Sequence, residues 1–127
     1  MPTLFVAIYR PRDGNVHHWS LYLQDSVDGD MIYEVTGSPG DFKHNIISGV
    51  QPEKSKRHVR SLEVAEIDRQ DINAAKEILA NIAIKDVATW SCQDFVLEGL
   101  EELHDEAIIG DYQYAEAKDN LEAVYDE

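Results

Sequence analysis

An intrachain disulfide is excluded at the outset, because the chain has one cysteine, Cys92, in 127 residues. A lone cysteine fits a reducing compartment, and the expected location is cytoplasmic. Basic residues are also scarce: 11 Lys and Arg stand against 25 Asp and Glu, a net charge of −14. Non-specific nucleic-acid binding and stable attachment to anionic lipid both need basic patches, so neither is expected. No apolar run approaches the roughly 18 residues of a membrane span, and no basic-then-apolar leader opens the chain. Phosphate-binding glycine motifs and a serine-hydrolase elbow are absent. So are Cys-x-x-Cys, His-Glu-x-x-His and a calcium loop: Asp25, Asp28 and Asp30 surround Gly29 without the required spacing. No metal and no cofactor is expected.

What is present is an apolar fraction of 43%, enough for one hydrophobic core, so residues 1–127 are read as a single domain. Leu4-Phe5-Val6-Ala7-Ile8-Tyr9 reads as a strand over about 3–10, with a turn at 11–15 around Asp13-Gly14-Asn15. Val16 to Leu23 reads as a second strand. Alternation puts His17, Trp19, Leu21 and Leu23 on one face and His18, Ser20 and Tyr22 on the other. Met31 to Thr36 is a third strand, closing a hairpin over 16–36. Residues 42–50 and 59–67 read as a fourth and a fifth.

The period then changes. Apolar residues at 72, 75, 78, 79 and 82 predict a helix, with Asp68 or Asp71 to cap it. Val96, Leu100 and Leu103, flanked by Phe95 and Gly99, predict a second. Ser91 followed by Asp94 is a capping-box variant, which makes Cys92 the first helical residue. Gly110 precedes a last, acidic helix from Asp111 to about Ala123. The predicted fold class is α+β: an antiparallel sheet of four to five strands packed against the Cys92 helix and flanking helices.

Three residues carry candidate chemistry. A thiol at a helix N-terminus is placed to ionise, and the free N–H groups there can hold an oxyanion. Read alone, Cys92 is equally a small buried hydrophobe. His18, in a polar register, can act as general base and then acid. His17 is the rival, because sequence does not fix which face meets the helix. Glu34, on the neighbouring strand, can orient the imidazole, or it is an exposed edge carboxylate. Trp19, Tyr22 and Trp90 are candidates to wall a substrate groove, with the core as the alternative place for each.

These residues sit in recognisable segments. His18-Trp19-Ser20-Leu21-Tyr22 resembles the His-Trp-Ala-Ile-Tyr segment of lecithin:retinol acyltransferase-like proteins, and Ser91-Cys92-Gln93-Asp94-Phe95-Val96 resembles their Asn-Cys-Glu-His-Phe-Val. Ala7-Ile8-Tyr9-Arg10-Pro11 is similar to their Ile-Phe-Arg-Pro lead-in. The resemblance covers residues 4–36 and 88–103. It implies a circularly permuted papain-like fold, related to the NlpC-type and PPPDE peptidases, with histidine before cysteine in the chain.

On that resemblance Cys92 is the nucleophile and His18 the base. Glu34 falls where the family often has a second histidine, which puts the specific lipid-acyltransferase activity in question. Many lipid-acting members carry a C-terminal membrane anchor, which is not expected here. The activity implied is a cysteine hydrolase or acyltransferase acting on an amide, ester or thioester of a small molecule or peptide. The alternatives are a PPPDE-like isopeptidase acting on protein tails and a non-catalytic binding or assembly module.

Overall fold

The computed structural model describes residues 1–11 and 16–127. Most of the turn expected at 11–15, including Asp13, Gly14 and Asn15, lies outside the described residues. Strands β1 (Thr3–Tyr9), β2 (His18–Gln24), β3 (Met31–Thr36), β4 (Lys43–Ser48) and β5 (His58–Glu66) precede helices α1 (Ile72–Ala80), α2 (Cys92–Asp105) and α3 (Asp111–Glu122). The fold is α+β, and the strands form one antiparallel sheet in the order β4-β3-β2-β1-β5. No helix among the described residues is long and apolar enough to cross a membrane.

Alternation decides which side chains meet the helices. Leu4, Val6 and Ile8 of β1, Trp19, Leu21 and Leu23 of β2, and Tyr33 and Val35 of β3 share one core with Phe95, Val96, Leu100 and Leu103 of α2. The stripe expected on α2 is the one that is buried. Gly99 lets this helix come close: a Cβ there would stand 2.7 Å from Ile82 Cδ1 and 2.9 Å from Leu21 Cδ1. The opposite face of the sheet is covered as well. The connection over 49–57 carries the chain from one edge of the sheet to the other, with Pro52 buried. Together with Ile32, Ile47 and Tyr9 it lines a small open cavity there. That is why β2 is buried on both faces, where sequence alternation implied one apolar and one polar side.

The ladders are unequal. β1 and β2 pair from Thr3–Gln24 to Tyr9–His18, and β3 and β4 pair from Met31–Ser48 to Thr36–Lys43. β2 and β3 pair only from Leu23–Met31 to Leu21–Tyr33. Beyond Leu21 the two central strands part, and this open end faces the start of α2.

Helix ends follow local chemistry. Asp68 caps a short 3-10 turn, Arg69–Asp71, that leads into α1, whereas the Asp71 side chain makes no capping bond. The α2 C-terminus closes with the Ala107 N–H on His104 O and the Ile108 N–H on Leu103 O. Ala107 takes φ 58°, the left-handed position that glycine usually fills. Gly110 comes three residues later and begins α3.

Candidate active site

Cys92 is the first residue of α2, and the cap predicted for it is complete. The Ser91 Oγ accepts the Gln93 N–H at 3.2 Å, and Asp94 Oδ2 accepts the Ser91 N–H at 2.8 Å. The cap holds the first turn in register and leaves the Cys92 N–H without an acceptor among the described residues. Cys92 is half-buried, with its sulfur 3.9 Å from the His17 carbonyl oxygen.

His18 begins β2, directly paired with Tyr9 of β1. The parting of β2 from β3 gives its ring room to lean across to Glu34. His18 Nε2 and Glu34 Oε1 are 2.6 Å apart, and both residues are buried. The other carboxylate oxygen, Oε2, accepts from Asn45 Nδ2 at 2.7 Å, across a directly opposed β3–β4 pair. A polar row therefore crosses four strands at one end of the sheet: Tyr9, His18, Glu34 and Asn45. With Nε2 committed to Glu34, Nδ1 is the ring atom left for Cys92. Burial works to lower the His18 pKa. The neighbouring Cys92 sulfur and the Glu34 carboxylate favour the protonated ring, outweigh burial and hold the pKa above 6.5.

His17 points elsewhere. It lines a cleft with Ile8, Trp19, Val59 and Arg60, and only its backbone serves the Cys92 side. Its carbonyl accepts Gln93 Nε2 at 3.0 Å, and its N–H donates to Glu127 O at 2.5 Å. Gln93 is fully buried, and its side chain ties the start of β2 to the start of α2. The structure thus brings together Cys92, His18 and Glu34, and it sets His17 apart.

A cavity of about 590 Å³ opens beside Cys92 and His18. Val16, Val35, Pro39 and Phe42 give it apolar walls, and Thr36, Ser38, Ser91 and Asp126 give it polar ones. None of Trp19, Tyr22 and Trp90 is among these lining residues. Trp19 is fully buried in the core. Tyr22 stacks on Phe5 and donates its hydroxyl to Asp30 Oδ2 at 2.9 Å; burial and Asp30 push its pKa up to about 12. Trp90 is buried against Phe42 and Phe95, with its indole N–H on Glu98, so it supports a wall from behind.

Sequence reasoning missed Asn45, Gln93 and the segment Tyr125–Glu127. Asn45 was visible only through the β3–β4 register. Gln93 sat inside the motif but was read for its neighbour. The Tyr125 hydroxyl donates to Asp94 Oδ1 at 2.6 Å and the Asp126 N–H to Gln93 Oε1 at 2.6 Å. No local pattern announces those contacts. Among the described residues no three or more His, Cys, Asp or Glu side chains gather as metal ligands.

Residues 4–110 match the model of a family of unknown function, DUF6540. No curated protein and no solved structure matches the chain.

Proposed function

The chain belongs to the DUF6540 family, and we propose that it is a cysteine-dependent acyl-transfer enzyme whose site is Cys92, His18 and Glu34. The observation that carries this reading is the His18–Glu34 bond of 2.6 Å at the ring nitrogen away from the thiol. It fixes the tautomer and the orientation, and it leaves the other nitrogen for Cys92. The raised His18 pKa favours an imidazolium next to the sulfur, and so a thiolate–imidazolium pair.

The Cys92 sulfur attacks the carbonyl carbon of an amide, ester or thioester. The electron pair moves to oxygen, and the Cys92 N–H at the head of α2 stabilises the oxyanion. The intermediate collapses, His18 gives its proton to the leaving group, and a thioester on Cys92 remains. Water or another nucleophile, deprotonated by His18, then releases the acyl group. We read the sheet and α2 as the permuted papain-like arrangement, with the histidine strand before the cysteine helix. A free thiol nucleophile needs reducing surroundings, so we place the activity in the cytoplasm, on a small-molecule or peptide acyl substrate.

Alkylation by iodoacetamide near neutral pH tests the pair. Wild type is expected to react at Cys92 faster than a free thiol, and His18→Ala to slow it at least about tenfold. A wild-type rate equal to that of a free thiol, unchanged in His18→Ala, rejects the catalytic reading.

A further inference from the structure

We infer that Asp126 selects acyl substrates bearing a positive charge close to the scissile carbonyl, such as basic amides or amine-bearing esters. This rests on the thiol acyl-transfer reading and adds the substrate's charge class to it. Aside from His18, Asp126 is the only ionisable side chain besides the nucleophile among the described residues lining the cavity. Its carboxylate has no hydrogen-bond or ion-pair partner among the described residues. By contrast the nearby Asp94 is occupied by the Ser91 N–H and the Tyr125 hydroxyl.

The backbone that presents Asp126 is built with care. Its φ is 66°, a left-handed conformation that non-glycine residues seldom take. Bonds on both sides enforce it: the Asp126 N–H donates to the fully buried Gln93, and the Glu127 carbonyl accepts from the His17 N–H. Tyr125 is anchored on Asp94 and edge-on to Trp19. Gln93 adjoins the nucleophile and His17 adjoins the base, so the groups that position the chemistry also position the charge. The cavity's walls are partly apolar, and an exposed carboxylate at its edge, unpaired among the described residues, attracts a cation and repels an anion.

The probes are two methanethiosulfonates of similar size, one ending in an ethylammonium and one in an ethylsulfonate. In each, the Cys92 thiolate attacks the sulfenyl sulfur. A new S–S bond forms, the bond to the sulfonyl sulfur breaks, and a sulfinate leaves with the electron pair. Rates are divided by those of a free thiol, which removes the reagents' intrinsic difference. Wild type is expected to favour the cationic reagent about tenfold. Asp126→Asn and Asp126→Gly, both compatible with a positive φ, are expected to lower that ratio at least about fivefold. Removing one charge of the net −14 leaves the overall field nearly intact, so the change reports the local carboxylate. Folded variants, judged by far-ultraviolet circular dichroism, that keep the wild-type ratio overturn the proposal. His18→Ala is expected to slow both reagents and, by removing a cation from the cavity, to raise the ratio where the Asp126 variants lower it, so failure of the catalytic reading shows in a different variant.

Discussion

At the scale of single residues, the site is a relay in which each group fixes the next. Asn45 holds Glu34, Glu34 holds His18, and His18 lines one cavity with Cys92. Asn45 is not among the residues lining the cavity and, on the proposed chemistry, would act through Glu34 as a positioning residue. Asn45→Ala removes a donor from a buried carboxylate, a loss of about 1–3 kcal/mol in stability. The alkylation of Cys92 is expected to slow and its pH profile to move, because Glu34 is freed to turn from His18. Asn45→Asp, which sets two carboxylates together, is expected to be worse. A pH profile unchanged in Asn45→Ala would reduce that residue to a structural role.

His18 also ties the site to stability. Its pKa is raised in the folded chain above 6.5, so folding favours the protonated ring. The stability this contributes is complete below the unfolded value and is lost as pH rises through the folded one. Urea unfolding of wild type and His18→Gln between about pH 6 and about pH 9 is expected to show a difference that shrinks as pH rises. A difference that grows with pH contradicts the sign.

Among the elements, α2 is the one whose ends decide most. Its start was legible residue by residue. Ser91 and Asp94 form the box that their spacing implied, and the stripe of Val96, Leu100 and Leu103 is buried. Its end was not legible, because Ala107 takes the left-handed place of a glycine. Ala107→Gly is expected to stabilise the fold by about 0.5–1 kcal/mol, read as a higher urea midpoint. The five strands were legible through runs of β-forming residues bounded by turn residues, the fourth and fifth with weaker patterns than the first three. Sheet order was not, because nothing local says that β5 returns to pair with β1. The same gap explains the aromatic residues. Trp19 and Tyr22 lie on opposite faces of a strand that is covered on both sides, so motif position could not tell wall from core. Cys92, His18 and Glu34 were legible as candidates from residue type and position, and only the family resemblance, not strand parity, favoured His18 over His17. Asn45 needed the β3–β4 register, and Asp126 needed the long-range docking of Tyr125–Glu127.

Taken whole, the molecule joins two firmly laddered plates. One is β4 with β3, and the other is β2 with β1 and β5. They meet along a seam of three residue pairs, Leu21–Tyr33 to Leu23–Met31. His18 rides on one plate and Glu34 on the other, so their 2.6 Å bond spans the opened end of the seam. That bond works as a latch. Spreading the plates by a small angle undoes it while both ladders stay intact, since local opening costs less than global unfolding. In rising urea, the His18-dependent alkylation of Cys92 is expected to fall before the far-ultraviolet circular dichroism does. Coincident transitions would mean that the seam and the sheet break together. Of the backbone amides of Trp19, Ser20, Glu34 and Val35, above the last seam pair, those that point into the seam rather than to β1 or β4 should then trade hydrogen for deuterium sooner than those of Leu4 to Ala7. The proposed chemistry would thus be timed by the breathing of the fold.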